Sequence, residues 1–499
     1  MLTDTTLKRL DTISLLSKEG KKINGLFRLM ENRELWKQAY INMRIREGAV
    51  KGVDHTTLDG FLNTRIDGII GQIWNKQYKF EPVRRTSLSK ENVNRRPSGI
   101  SDGNDKLVQE VVRIILERIY EPVFSDLVHG SRTGRSCHTA LEQVRRSWTG
   151  AKWLIVTDAK CFLSYSIHKD LIRILERKID DRRFIKLIEA MLRAGCMINW
   201  NYNSICSGTV PGGIISPILS DIYLSELDNF MEQYASQFDT GKRNGSGTQY
   251  PDRSIKAIGE TRVQIPSGGP YDKTYKRVFY NRHTSKFMIG ITGSRADAVK
   301  TVHEIQSFLN DKLAMAEDNF KIVHAAKGVN YLGFVVRSHT GHWINNLEAS
   351  GAYIGKRVAA ERMQLIIPKE EMQEFARQRG YGNYCTAYAK SRPALIRGSD
   401  AEIISTYNSE LRELVNYYSI ANHARKSLGC IVSMGRISCV MTLAHKHKMS
   451  TDKMASLLKQ PDGEWIREIK TGKVIHNYRV YRLKTDFPHN TLSCWNPDI

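Results

Sequence analysis

Asp158 closes the apolar run Trp153-Leu154-Ile155-Val156-Thr157, which puts a carboxylate at the end of a short strand of the buried type. Two further apolar runs, Val278-Phe279-Tyr280 and Phe287-Met288-Ile289-Gly290-Ile291, enclose the turn His283-Thr284-Ser285-Lys286. Carboxylates at strand ends and tight turns suit hard divalent cations, and a pair of ions about 3.5–4 Å apart needs several of them. Ser285 and Lys286 supply none, and an ammonium at that spot repels Mg²⁺. One carboxylate beside Lys286 is better suited to an ion pair or a turn cap than to a metal, so no metal ligand and no cofactor is assigned here. His283 reads as a polar turn residue.

A second kind of chemistry is more abundant. Arg84, Arg85, Lys90, Arg95 and Arg96 stud an extended segment, and Arg132 and Arg135 flank the glycine-rich loop His129-Gly130-Ser131-Arg132-Thr133-Gly134-Arg135. Guanidinium forks match phosphate geometry, and glycine lets a backbone approach a strand closely. Near the C-terminus, Tyr417 is expected off the apolar face and available to stack on a base, with Arg425, Lys426, Lys446 and Lys448 on polar faces or helix ends. Tyr407 and Tyr418 share the apolar face and read as core. The whole chain supports an anionic partner: 75 Lys and Arg against 52 Asp and Glu give +23 over 499 residues. Nucleic acid is the first choice for such a surplus, ahead of a solubilising surface or anionic lipid.

The elements that must position these residues follow from periodicity. Helices are expected over residues 1–50, over Asp59–Trp74, and over Asp105–Tyr120, where Leu107, Val108, Val111, Val112, Ile115, Leu116 and Ile119 repeat at helical spacing. Further helices fall at about Lys169–Leu192, Ile214–Tyr234 and Ser294–Ala316, with a strand at Asn330–Val336. Ala235–Pro270, polar and rich in Gly, Ser and Arg, reads as a mobile insertion. Beyond about residue 350 the pattern is helical, and the tail from Lys459 reads as strand-rich or irregular. No run of 18 apolar residues predicts a membrane span, and no membrane partner is expected. The eight cysteines form no C-x-x-C pair, which argues against a zinc ribbon and for buried thiols in a reducing compartment. The N-terminus carries acids early and has no apolar stretch of the secretory kind.

Taken in order, these strings resemble the group II intron-encoded reverse transcriptases and maturases, from about Asn32 to Lys448. Lys51-Gly-Val-Asp54, Tyr78-x-Phe80-x-Pro82-x-Arg84-Arg85 and Arg95-Arg96-Pro97-x-Gly99-Ile100 resemble the N-terminal and fingers blocks. Asp158-Ala-Lys160-Cys-Phe162, Gly212-Gly213-Ile214-Ile215-Ser216-Pro217 and Tyr331-Leu332-Gly333-Phe334 resemble the palm. Arg397-Gly398, Tyr407-Asn408-Ser409 and Leu414-Val-Asn416-Tyr417-Tyr418 resemble the maturase domain, which adds Arg397 to the RNA-binding candidates. The resemblance implies an α/β fold: a polymerase right hand, with reverse-transcriptase-type fingers and palm at 51–345 and a helical extension at 1–50. An all-helical thumb or maturase domain at 350–450 and a small appendix at 451–499 complete it.

The departures carry as much information. The family's Tyr-Ala-Asp-Asp turn is His283-Thr284-Ser285-Lys286, so Ser285 and Lys286 occupy lost carboxylate positions and Asp158 is a remnant. The Phe-Phe-Asp after the first aspartate is Phe162-Leu163-Ser164, the Pro-Gln-Gly-Gly turn is Val210-Pro211-Gly212-Gly213, and the Lys-Thr pair near the primer grip is Asn319-Phe320. The function implied is binding of a group II intron RNA to assist splicing, with DNA a further partner that the resemblance allows. The alternatives are an active RNA-directed DNA polymerase of a mobile intron, for which Mg²⁺ would be the cofactor, and a decaying reading frame. The location implied is an organelle that makes the protein itself, mitochondrion ahead of plastid, with a bacterial cytoplasm as the alternative. Oligomeric state and the identity of the intron are not encoded in these motifs.

Overall fold

The computed structural model describes residues 4–46, 63–85, 99–158, 165–198, 201–203, 213–240, 253–258, 261–266, 275–313, 320–338, 341–349, 352–360, 363–461, 464–471 and 474–483. The elements that position the site are, among helices, α1 (Asp4–Lys18), α2 (Gly103–Tyr120), α3 (Cys137–Ser147), α4 (Ser216–Phe238), α5 (Arg295–Leu313), α6 (Asp400–Tyr418), α7 (Ala424–Lys446) and α8 (Thr451–Leu458). The strands are β1 (Trp153–Asp158), β2 (Arg277–His283), β3 (Lys286–Thr292), β4 (Lys321–His324), β5 (Val329–Tyr331), β6 (Phe334–Ser338), β7 (Met363–Ile366), β8 (Ile466–Thr471) and β9 (Val474–Arg479).

A four-stranded antiparallel sheet in the order β4-β1-β3-β2 is the centre of the molecule. The central strands β1 and β3 are apolar on both faces because each face is covered, so the sequence shows continuous runs there instead of alternation. Val278, Tyr280, Ile155, Phe287, Ile289 and Ile291 face one core, which α2, α4 and α5 complete. Leu154 and Met288 belong to the other, with Val156 and Phe279 packed on it. α2 begins with Asp102 as N-cap, accepting from the Asn104 N–H at 3.1 Å, and α4 begins with a proline in its first turn. Gln109 of α2 accepts from the backbone N–H of Ile214 at 3.0 Å, which fixes the chain just before α4.

The second core runs without interruption from the central sheet into the C-terminal part. Leu141, Val144, Trp148, Met288, Phe334 and Leu365 share it with Tyr407, Leu411, Tyr418, Val432 and Leu443. α7 is long and apolar enough to cross a membrane by composition, yet 61% of its apolar window is buried inside the protein. Nine of its twelve buried residues belong to this core, which is the ordinary fate of such a helix.

Two expectations need correction. The segment after Ala235 begins in regular structure: α4 continues to Phe238, where Phe230, Tyr234 and Phe238 make ring contacts, and Phe230 stacks on Phe308 at 4.3 Å. Strands Arg253–Ile258 and Thr261–Pro266 then pair antiparallel. The region past 350 is not all helical. Strands Gly341–Ala349 and Ala352–Ala360 pair, and β7 joins β6 in a three-stranded sheet. Met363 and Leu365 alternate with more exposed residues, a period-2 signal too short to stand out in the sequence. Short strands also pair at Gly382–Asn383 with Tyr388–Ala389. The tail forms the hairpin β8–β9, held to α6 by Asn408, which donates to the Arg479 carbonyl and accepts from the Tyr481 N–H, both at 2.7 Å.

Asp400, at the start of α6, ties these C-terminal elements together. Its carboxylate accepts from Lys446 Nζ at 2.7 Å, from His447 Nε2 at 2.9 Å and from Arg467 Nε at 2.9 Å. Burial pushes this carboxyl up, but the three hydrogen bonds outweigh it and hold the group below its ordinary value. A depressed folded-state value adds stability above the unfolded value near pH 4, and that stability is lost as pH falls through the folded value. Asp400→Asn should therefore cost about 1–3 kcal/mol at pH 7. In thermal melts the gap from the unmodified protein should narrow below about pH 4.

Candidate functional site

The turn at the tip of β2 and β3 is built from two residues, Thr284 and Ser285, between the paired His283 and Lys286. Thr284 holds φ at 50°, an unusual conformation for a β-branched residue. Several contacts impose it. Arg282 Nη1 donates to the Thr284 carbonyl at 2.8 Å, and Thr284 Oγ1 donates to the His283 carbonyl at 2.7 Å. The loop at Leu127–Gly130 runs parallel to the end of β2, with Arg282 N–H donating to the Leu127 carbonyl and His129 N–H to the Arg282 carbonyl. At Gly130 a side chain would lie 2.2 Å from the Thr284 nitrogen, so only glycine permits the approach.

Beneath the turn lies an ionic cluster that the sequence did not single out. Arg282 is wholly buried and forks onto Asp221 at 2.7 Å and Asp228 at 2.7 Å, with a second bond from Nε to Asp228 at 2.9 Å. Both acids lie on α4, seven residues and so about two turns apart, which places them on one face. Tyr280, two residues before Arg282 and on the same face of β2, donates to Asp228 at 2.8 Å. Burial pushes the Asp221 carboxyl up to about 6 even against Arg282, while the two carboxylates hold the guanidinium well above its ordinary range. A sequence signal existed: an arginine inside an apolar strand, with aspartates at helical spacing in the apolar helix α4.

The register places the earlier candidates. Asp158 lies directly opposite Lys286, which in turn lies opposite His283, so the three positions line up across neighbouring strands. The Asp158 side chain is outside the described residues. Ser285 is buried and Lys286 exposed. These residues do not fit a pair of divalent cations: the position across from Asp158 is a lysine, its neighbour is a serine, and Asp221 and Asp228 are engaged by Arg282. Among the described residues no group of three His, Cys, Asp or Glu side chains could hold a metal ion.

The basic candidates separate into two groups. Arg132 faces inward, with its side chain 5% exposed and paired with Glu121 at 3.0 Å. It also donates to the Ser125 and Val128 carbonyls and lies over the Phe124 ring. It fastens the loop and does not face a phosphate, because its fork is filled by the Glu121 carboxylate and by backbone carbonyls of the loop. Arg135 braces the same loop through Asp126 at 2.5 Å. His129 is held by Thr139 and Gln143, and burial lowers its pKa to about 4, so it is neutral at pH 7. Tyr417 is likewise not a free stacking surface. Its hydroxyl donates to the Leu332 carbonyl at 2.8 Å and its ring packs against Phe334 and Tyr418. Lys446 is occupied by Asp400 and the Gly398 carbonyl.

Arg397, Arg425, Lys426 and Lys448 are exposed. Arg84 and Arg85 lie on the strand Val83–Arg85, which pairs with Gly99–Ile100, but their side chains are outside the described residues, as are Lys90, Arg95 and Arg96 altogether.

Comparison with known proteins gives two family matches. Residues 88–336 match the reverse transcriptase (RNA-dependent DNA polymerase) family, and residues 361–479 match the type II intron maturase family. The chain is 34% identical to the group II intron-encoded protein LtrA of Lactococcus lactis subsp. cremoris, over 94% of this chain and 83% of that protein. It is 28% identical to the putative COX1/OXI3 intron 2 protein of Saccharomyces cerevisiae, over 87% of this chain and 53% of that protein. It is 23% identical to nuclear intron maturase 1, mitochondrial, of Arabidopsis thaliana, over 70% of this chain and 56% of that protein.

Two substitutions test the turn's supports. Arg282→Met leaves two buried carboxylates without their cation and should cost about 3–5 kcal/mol in denaturant unfolding. Gly130→Ala drives a methyl group into the turn and should cost about 2 kcal/mol or more in the same measurement.

Proposed function

Because the chain belongs to the family of group II intron-encoded reverse transcriptases and maturases, we propose that it binds a group II intron RNA and assists its splicing without polymerising DNA. The observation that carries this is the turn itself, where Lys286 stands directly opposite Asp158 with Ser285 beside it. Polymerisation by two metal ions needs acids at those positions to hold the ions and offset their charge. In splicing the intron supplies the reacting groups, and the protein has to supply charge, shape and a stable frame.

The right-hand fold expected of the reverse transcriptase family is supported by the central sheet and by α2 and α4 packed on it. The C-terminal helices α6 and α7 would serve as the thumb-like unit, and the described exposed cations Arg397, Arg425, Lys426 and Lys448, with Arg84, Arg85, Lys90, Arg95 and Arg96 in the fingers segment, as phosphate contacts. The domain limits we propose are 51–345 for fingers and palm, 350–450 for the maturase unit and 451–499 for an appendix whose β8–β9 hairpin packs on α6. An organellar setting agrees with the mitochondrial name of the Arabidopsis relative, and a bacterial one with the Lactococcus protein.

Primer extension on a primed RNA template with Mg²⁺ or Mn²⁺ separates this reading from that of an active polymerase. The expected result is no cDNA above the level of Asp158→Ala, whereas robust extension that Asp158→Ala abolishes contradicts it. Binding to a group II intron transcript should exceed binding to tRNA and fall steeply with salt, as each neutralised phosphate releases counterion. A chain that does not melt cooperatively and binds both RNAs alike would instead be a decaying frame.

A further inference from the structure

Asp105, the third residue of α2, is a carboxyl group taken out of water with no cation to meet it. It is 3% exposed, and among the described residues it has no ion pair. Its two hydrogen bonds come from one stretch of chain: the Tyr78 hydroxyl donates to Oδ1 at 2.7 Å and the Glu81 N–H to Oδ2 at 2.9 Å. Around it stand Asp102 at the N-cap of α2, Glu81 on the bonded segment, and Arg65 on the helix Asn63–Trp74, which donates to Asn104 at 3.0 Å. Lys106 follows it in α2 and is itself buried.

Residues 78–82 join that helix to the strand Val83–Arg85, which pairs with Gly99–Ile100 and with Cys196–Ile198. Each end is tied by backbone, Tyr78 N–H to the Gln72 carbonyl and Val83 N–H to the Gly195 carbonyl, both at 3.1 Å. Between those ends, the described hydrogen bonds that hold the segment to α2 both finish on Asp105. The Tyr78 and Phe80 rings meet edge to face at 5.1 Å and pack on the first core. A carboxylate buried with neither water nor a cation favours its neutral form. Both hydrogen bonds and the start of α2 favour the ionised form, yet burial outweighs them and pushes the carboxyl up to about 7, with Asp102 adding to the rise. Burial and Asp105 hold the Tyr78 hydroxyl far above its ordinary value, so it remains a donor.

We propose that Asp105 is a proton-controlled latch: neutral, it holds residues 78–82 on α2, and once ionised it lets that segment open to water and loosens the strand pair beyond it. The strands Val83–Arg85 and Gly99–Ile100 enclose the residues in which the family's fingers are expected, so the latch sits at their base. It does not rest on the RNA-binding reading. When the segment opens, a hydrated Asp105 returns to the ordinary value near 4. The closed segment therefore binds a proton that the open one releases. Its stability is full below about pH 4 and is lost as pH rises through about 7, by up to about tenfold in the opening equilibrium per pH unit.

The test is hydrogen exchange of the full chain between about pH 5.5 and about pH 8, read by mass spectrometry over residues 78–83, with each rate divided by its intrinsic rate at that pH. Protection is expected to fall at least about tenfold from about pH 5.5 to about pH 7 and to change little above about pH 7.5. In Asp105→Asn it should stay level, and residues 108–116 of α2 should keep their protection in every protein. Tyr78→Phe removes a donor that favours the carboxylate, so there the fall should extend to higher pH. Constant protection in the unmodified chain overturns the latch. The same fall in Asp105→Asn also overturns it, by assigning the proton to Asp102 or Glu81. Should Asp105→Asn not fold, Tyr78→Phe decides: a fall moved to higher pH supports the latch, and a fall at the unmodified chain's pH overturns it.

Discussion

Two aspartates buried under the hairpin turn need a cation, and Arg282 is that cation. Removing carboxylates from water costs several kcal/mol each unless the charge is met by a partner with good geometry. Asp221 and Asp228 are 2% and 1% exposed, and the single guanidinium reaches both while also holding the turn's carbonyl. The turn thus keeps its shape through protein groups alone. The supporting loop, the helix α4 and the strand β2 are all fixed at this one cluster.

This arrangement separates the frame of the site from its chemistry. The groups that hold the turn lie below it, at Tyr280, Arg282, Asp221 and Asp228, whereas the residues that would face a reacting nucleotide lie at its tip. Ser285 and Lys286 at the tip can therefore differ from acids without loss of the hairpin. A buried arginine beneath the turn has no such freedom, because losing it strands two negative charges. A protein that serves RNA by shape would retain the lower layer and could lose the upper one.

Much of the architecture was legible in the sequence because long periodic segments carry it: Asp105–Tyr120 formed a helix over its whole expected length, and the apolar runs around residues 278–291 formed the hairpin. The tyrosines at 407 and 418 entered the core as their spacing implied. What was not legible depended on long-range partners. Arg132 and Arg135 looked alike beside a glycine-rich loop, yet Glu121 draws one inward and Asp126 holds the other at the surface. Tyr417 and Lys446 looked available until Leu332 and Asp400, distant in the chain, met them. Short strands such as Met363–Ile366 were hidden because four residues hold too little alternation to outweigh the helical pattern that follows.

The central claim is that the palm serves as a frame and its remaining aspartate does no chemistry. The most direct test is the rate at which a group II intron precursor splices with the protein and with Asp158→Ala, at equal saturation and near-physiological Mg²⁺. Equal stimulation by the two proteins is the predicted result. Loss of stimulation with Asp158→Ala, while that variant still folds and binds the precursor as tightly, would contradict the account.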